Sequence, residues 1–136
     1  MEEGAITTLM LKEHELLNKL LEEFESSHKI EIFKKFKEKV EKHFFIEEKV
    51  IFDIYLKQNK DQQYNVLDLI KDHKDLLWQI KKMEDMLPKN QNPPLEELKH
   101  TLLDHTNFEN EFFYPDLDNE LDKDKKQLIL EGTKEL

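Results

Sequence analysis

Residues 30–57 read IEIFKKFKEKVEKHFFIEEKVIFDIYLK, and their spacing decides the fold. Phe33, Phe36, Val40, His43, Glu47, Val50 and Ile54 follow one another by alternating steps of three and four. That period puts them on one face of an amphipathic helix and excludes the strict alternation of a strand. The seam is polar only at His43 and Glu47, near its middle, while lysine and glutamate fill the outer faces.

Outward from this segment, breakers stand at Ser26-Ser27-His28-Lys29, at Gln58-Asn59-Lys60-Asp61 and along Pro88-Lys89-Asn90-Gln91-Asn92-Pro93-Pro94, with Pro115 as the last strong stop. They predict helices over about 6–25, 30–57, 62–87 and 95–114, and a short tail helix over about 118–131. The tail carries Leu121, Leu128 and Leu130, with Gly132 placed to end it. Short connections between helices of similar length favour antiparallel neighbours. The expected architecture is all-α, an up-down-up-down antiparallel four-helix bundle with a short C-terminal helix, forming a single domain over 1–136.

Composition narrows the function. The 136 residues contain 31 acidic and 21 basic side chains, a net charge of −10, and every basic one is lysine. Acidity without arginine argues against phosphate and nucleic-acid recognition. Zero Cys excludes disulfides, thiolate metal sites and a cysteine nucleophile. No apolar run reaches the ~20 residues of a membrane span, and the acidic start is unlike a secretory signal. The expectation is a cytoplasmic helical protein without nucleic-acid or membrane partners.

The other seams repeat the central polar interruption. They run Met10, His14, Leu17, Leu21, Phe24 in the first segment and Val66, Leu69, His73, Leu76, Ile80, Met83, Leu87 in the third. The fourth reads Leu95, Leu98, Leu102, His105, Glu109, Phe112. At ~1.5 Å per residue, His14 and His43 lie roughly 16 and 20 Å from the first turn, and His73 and His105 roughly 21 and 15 Å from the third. Antiparallel packing therefore brings His14, His43, Glu47, His73, His105 and Glu109 to about one level.

An internal repeat supports this level. Lys12-Glu13-His14-Glu15-Leu16-Leu17 resembles Lys71-Asp72-His73-Lys74-Asp75-Leu76-Leu77, and His43-Phe44-Phe45-Ile46-Glu47-Glu48-Lys49-Val50-Ile51-Phe52 resembles His105-Thr106-Asn107-Phe108-Glu109-Asn110-Glu111-Phe112-Phe113-Tyr114. The first helix pair looks duplicated as the second, around a pseudo-two-fold axis. With 20 Glu, about one His-x-x-x-Glu arises by chance against two here, so the signal is the shared seam position and not the spacing.

A bare carboxylate in an apolar core costs several kcal/mol unless it is paired. A hydrogen-bonded polar layer is one solution, but a metal site satisfies every group. Imidazole and carboxylate without sulfur suit iron, manganese or zinc. Four histidines and two glutamates suit two ions, with each glutamate bridging and each ion taking two histidines.

These residues carry a resemblance. The lone His14, His43-x-x-x-Glu47, the lone His73 and His105-x-x-x-Glu109, with the phrases HFFIEEKVIF and HTNFENEFFYP, resemble the hemerythrin-like cation-binding (HHE) family across all four segments. The resemblance implies two non-haem iron ions with an oxo or hydroxo bridge, ahead of manganese or zinc. His14 and His43 would hold one, His73 and His105 the other, and Glu47 and Glu109 would bridge. It implies O2 and/or NO binding, as gas binding or sensing. Alternatives are an enzyme acting on peroxide, O2 or NO, with a possible redox partner, and iron storage, donation or iron–sulfur repair. Oxygen carriers of the family have a further histidine one turn after the third helix's ligand and an aspartate five residues after the fourth helix's ligand. Here those positions are Leu77 and Asn110, which makes the ligand set near-symmetric, with open positions at both irons and no general acid beyond the ligands. Oligomeric state stays open, with a monomer compatible.

Other features carry less. His28 and His100 read as solvated or capping residues, and Glu25-x-x-His28 and Glu97-x-x-His100 match a ferritin-like spacing that chance also supplies. Phe44, Phe45, Phe108, Phe113, Trp78 and Tyr114 are candidates for a dry pocket beside the metals, and Tyr114 and Tyr55 for outer hydrogen-bond donors.

Overall fold

The computed structural model describes residues 4–58, 61, 63–89 and 95–134. The breaks expected at 59–60 and 90–94, and the helix start expected at 62, lie outside them. Every regular element among the described residues is helical: α1 Ala5–Ser27, α2 Ile30–Ile46, α3 Asp53–Gln58, α4 Gln63–Met86, α5 Leu95–Phe108, α6 Tyr114–Glu120 and α7 Lys123–Gly132. A π-helical segment Glu47–Phe52 joins α2 to α3, and a second, Glu109–Phe113, joins α5 to α6. Four long rods result.

Contacts between their ends set the directions. Phe24 near the end of α1 meets Phe33 at the start of α2, with ring centroids 5.1 Å apart. Lys37 in α2 pairs with Glu84 late in α4 at 3.0 Å, and Lys99 in α5 pairs with Glu25 late in α1 at 2.9 Å. At the opposite end, the Thr7 amide and hydroxyl donate to the Asp118 carboxylate of α6 at 2.9 and 2.7 Å. Each rod thus runs antiparallel to its sequence neighbours.

The core is two apolar clusters. One holds Leu17, Leu21, Phe24, Phe33, Phe36, Val40, Leu76 and their neighbours. The other holds Ile6, Met10, Ile51, Phe52, Val66, Leu69, Tyr114 and Leu117, with Ile129 of α7 closing it. Each side chain so buried stabilises the fold by about 1.5–3 kcal/mol. The surface lysine–carboxylate pairs add little by comparison.

The second and fourth rods differ locally from expectation. In the second rod the seam slips after Glu47: Ile51, Phe52 and Tyr55 are buried, whereas Val50 and Ile54 are only partly so. In the fourth, Phe113 is 6% exposed and Phe112 62%. Each π turn takes up about one residue more than an α turn, which rotates everything after it onto a different face. The fourth rod also runs past Pro115 to Glu120. The Tyr114 N–H bonds the Glu109 carbonyl five residues back, so Pro115 enters as the first turn of a new helix, where a missing N–H costs nothing.

The tail starts later than expected, at Lys123, with the Asp122 side chain accepting from the Lys125 N–H at 2.9 Å. Ile129 is its buried residue, Leu121 is buried just ahead of it, and Leu128 is exposed. Gly132 is the last residue of α7, and its role is close approach: a Cβ there would lie 2.6 Å from Val50 Cγ1. His28 ends α1 in the left-handed region, φ 58°, and its N–H donates to the Phe24 carbonyl at 2.7 Å. No described helix is long and apolar enough to cross a membrane.

Candidate metal centre

Between the two clusters lies the polar layer. His14 comes from the middle of α1, His43 from the last turn of α2, His73 from α4 and His105 from α5. Glu47 and Glu109 are the first residues of the two π segments, so each His-x-x-x-Glu pair spans a junction between α and π geometry. All six are at most 4% exposed, and both glutamates are fully buried. The structure brings all six together.

Their donor atoms fall into two sets, each within 4.8 Å: His14, His43, Glu47 and Glu109, and then Glu47, His73, His105 and Glu109. Both glutamates belong to both sets. Glu47 Oε2 faces His43 Nε2 at 3.1 Å, and its Oε1 faces His73 Nε2 at 3.1 Å. Glu109 Oε1 lies 3.1 Å from His105 Nε2 and 3.4 Å from His14 Nε2.

Several of these approaches are not hydrogen bonds. His43 Nε2, His105 Nε2 and both Glu109 oxygens are buried without a hydrogen-bond partner. Buried polar atoms are nearly always satisfied, so orphans gathered in one layer point to something they share. Neighbouring groups prepare the imidazoles for it. His14 Nδ1 lies 2.8 Å from Asn110 Oδ1, His73 Nδ1 3.2 Å from Glu48 Oε2, and His105 Nδ1 3.1 Å from Asp72 Oδ2. An acceptor at Nδ1 fixes one ring proton there and turns Nε2 to the centre, so that Nε2 is the nitrogen that would release its proton to bind a metal.

Electrostatics agree. Burial works to raise the Glu47 pKa, but contacts with Glu109, His43 and His73 prevail and hold it well below the usual carboxylate range. For His73, burial pulls the pKa down and Glu47 overrides it, leaving it raised. Burial also opposes His105, yet the Glu109 charge and the Asp72 and Glu109 contacts lift it to about 10. Without a cation, protons balance the buried carboxylates. Divalent ions would balance the same charge and also occupy the orphaned lone pairs, so a nitrogen–oxygen donor set without sulfur fits iron, manganese or zinc.

Tyr114, fully buried, donates to Glu47 Oε2 at 2.6 Å and approaches His14 Nε2 at 3.3 Å. Burial, then the Glu109 and Glu47 charges, push its pKa well above the ordinary phenol value. It is a proton-bearing hydroxyl inside the centre, where sequence reasoning found no general acid. Phe44 stacks on His73 at 3.8 Å and 7°, and Phe52 faces the same ring at 5.7 Å and 15°.

The other candidates fall elsewhere. Phe45, Trp78 and Phe108 are 62%, 65% and 45% exposed, on outward helix faces, and Phe108 lines an open surface pocket with Tyr55, Phe112 and Phe113. Tyr55 donates to Asp116 at 2.8 Å, away from the layer. His28 caps α1, and His100, on the surface, lies 3.4 Å from Asp104. Glu48 and Asp72 were missed as imidazole partners, although each adjoins a ligand candidate in sequence. In a charge-rich chain nothing distinguished them from surface residues.

Comparison with known families agrees with this geometry. The family model described as the hemerythrin HHE cation binding domain matches residues 5–117. No curated protein and no solved structure matches the chain. The match spans all four rods and all six residues of the polar layer, and the chain belongs to the hemerythrin HHE cation-binding family.

Proposed function

We propose that this chain is a single-domain, cytoplasmic, non-haem di-iron protein that binds O2 and/or NO, as gas binding or sensing. His14 and His43 would hold one iron and His73 and His105 the other, with Glu47 and Glu109 available to both. The observation that carries this reading is the pair of four-donor sets that share both buried glutamates. Bound iron supplies redox chemistry and open positions for a diatomic ligand.

The protein's own groups do the rest. The carboxylates offset the cations' charge, and the acceptors at Nδ1 hold three imidazoles in one orientation. Phe44 and Phe52 keep water from the His73 ring. Tyr114 keeps a proton at Glu47 Oε2, and that observation favours a second reading, an enzyme reducing peroxide, O2 or NO with electrons from a redox partner.

The test is anaerobic Fe(II) loading and desalting of the wild type beside Glu47→Ala, followed by mixing with O2 or NO. About two irons per chain, one for each donor set, falling sharply in Glu47→Ala, is expected. Little retained iron in the wild type withdraws the di-iron reading. A persistent adduct supports gas binding, whereas repeated turnover with an added reductant supports the enzyme.

A further inference from the structure

The repeat that builds this centre is broken around it, and every break has the same sense. Aligning the halves sets His14 opposite His73, His43 opposite His105, Glu13 opposite Asp72, Asn110 opposite Glu48 and Tyr114 opposite Phe52. On the His73/His105 side both Nδ1 atoms meet carboxylates, Glu48 at 3.2 Å and Asp72 at 3.1 Å. On the His14/His43 side His14 meets the neutral Asn110 amide, and His43 Nδ1, buried, has no partner. Glu13, the counterpart of Asp72, is drawn to Lys39 at 3.5 Å, and its Oε1 is left without a partner. The phenol of Tyr114 holds its proton against Glu47 Oε2, the oxygen that faces His43. Its counterpart Phe52 has no hydroxyl.

We propose that the two cation positions are unequal: the first cation binds His73 and His105, held by the positioning residues Glu48 and Asp72, and the His14/His43 position fills second and empties first. This rests on the dinuclear reading above. An imidazole whose N–H is held by a carboxylate is the stronger donor at its other nitrogen, and removing such a partner typically costs about 10–100-fold in metal affinity. Here one position has two such partners. The other has an amide, an ion pair to Lys39 that occupies Glu13, the counterpart of Asp72, and a hydroxyl competing for an oxygen of Glu47. The six ligand candidates are symmetric, and the inequality lies one layer behind them.

The test follows histidine nitrogen resonances in the metal-free protein as Zn(II), a diamagnetic probe, is added. At one equivalent the His73 and His105 Nε2 signals move to metal-bound positions while His14 and His43 stay, and the second equivalent moves those. In the double variant Glu48→Gln, Asp72→Asn the preference disappears or reverses. Both changes are isosteric, at side chains 31% and 50% exposed, so the fold is retained. Asn110→Asp alone moves His14 into the first step. If the four histidines respond together in the wild type, or the double variant keeps the original order, the inequality is overturned and the dinuclear reading stands. If no histidine pair responds even at two equivalents, the dinuclear reading falls and this inference with it.

Discussion

Tyr114, at the start of α6, donates a hydrogen bond from its phenol to Glu47 Oε2 across 2.6 Å, so the fourth rod holds a proton beside a carboxylate of the second. If the centre turns over substrate, this is the proton within reach. Tyr114→Phe should leave iron content near the wild-type value and lower peroxide or NO turnover by about 10²-fold or more. Unchanged turnover removes Tyr114 from the chemistry.

Leu77 stands one turn after His73, where the family's oxygen carriers have a histidine. It is partly buried against the apolar cluster holding Leu76 and Ile80. If that missing nitrogen controls reversibility, Leu77→His lengthens the lifetime of an O2 adduct in rapid-mixing spectra. An unchanged lifetime rejects the explanation.

The slipped seam in the fourth rod predicts opposite outcomes at adjacent phenylalanines. Phe113, packed on Phe52 and Tyr55 at 5.4 and 5.5 Å, should cost about 3–5 kcal/mol on replacement by Ala. Phe112, exposed, should change stability by less than about 0.5 kcal/mol. A uniform α-helix through this region predicts the reverse, and urea unfolding of the two variants separates the cases.

Gly132 lets α7 approach Val50, with 2.6 Å between an added Cβ and Val50 Cγ1. Gly132→Ala should cost about 1–3 kcal/mol, and pairing it with Val50→Ala should recover part of the loss. Additive effects of the two changes mean that no such clash exists.

Acid should loosen the same helix from its other end. The Lys125 backbone N–H, with the Lys125 side chain, holds the Asp122 carboxyl below its ordinary 3.8. Because the folded pKa is the lower one, the cap's contribution is complete above 3.8 and fades as pH falls through the depressed value. Hydrogen exchange in α7 should accelerate there, and Asp122→Asn, which keeps an acceptor without a titrating group, should remove that dependence. The same acceleration in Asp122→Asn assigns it to another group.

Much of this protein is legible in its residues. The steps of three and four through Phe33, Phe36 and Val40, and through His73, Leu76 and Ile80, require buried helix faces, and those residues are buried. His14, His43, Glu47, His73, His105 and Glu109 stand out because a polar residue on an apolar seam needs a reason. Spacing failed after Glu47 and Glu109, where it carried Val50 and Phe112 inward. A pattern assuming one period cannot register the extra residue of a π turn.

By itself, then, the sequence determined which faces are apolar and which six polar residues interrupt them, since both follow from helical periodicity and the cost of burying charge. Only the tertiary structure decided what stands behind those six. Glu48, Asp72 and Asn110 are polar residues beside ligand candidates in a chain full of such residues. Which imidazole each one meets depends on how the rods pack: Asn110 of the fourth meets His14 of the first, Glu48 of the second meets His73 of the third, and Asp72 of the third meets His105 of the fourth.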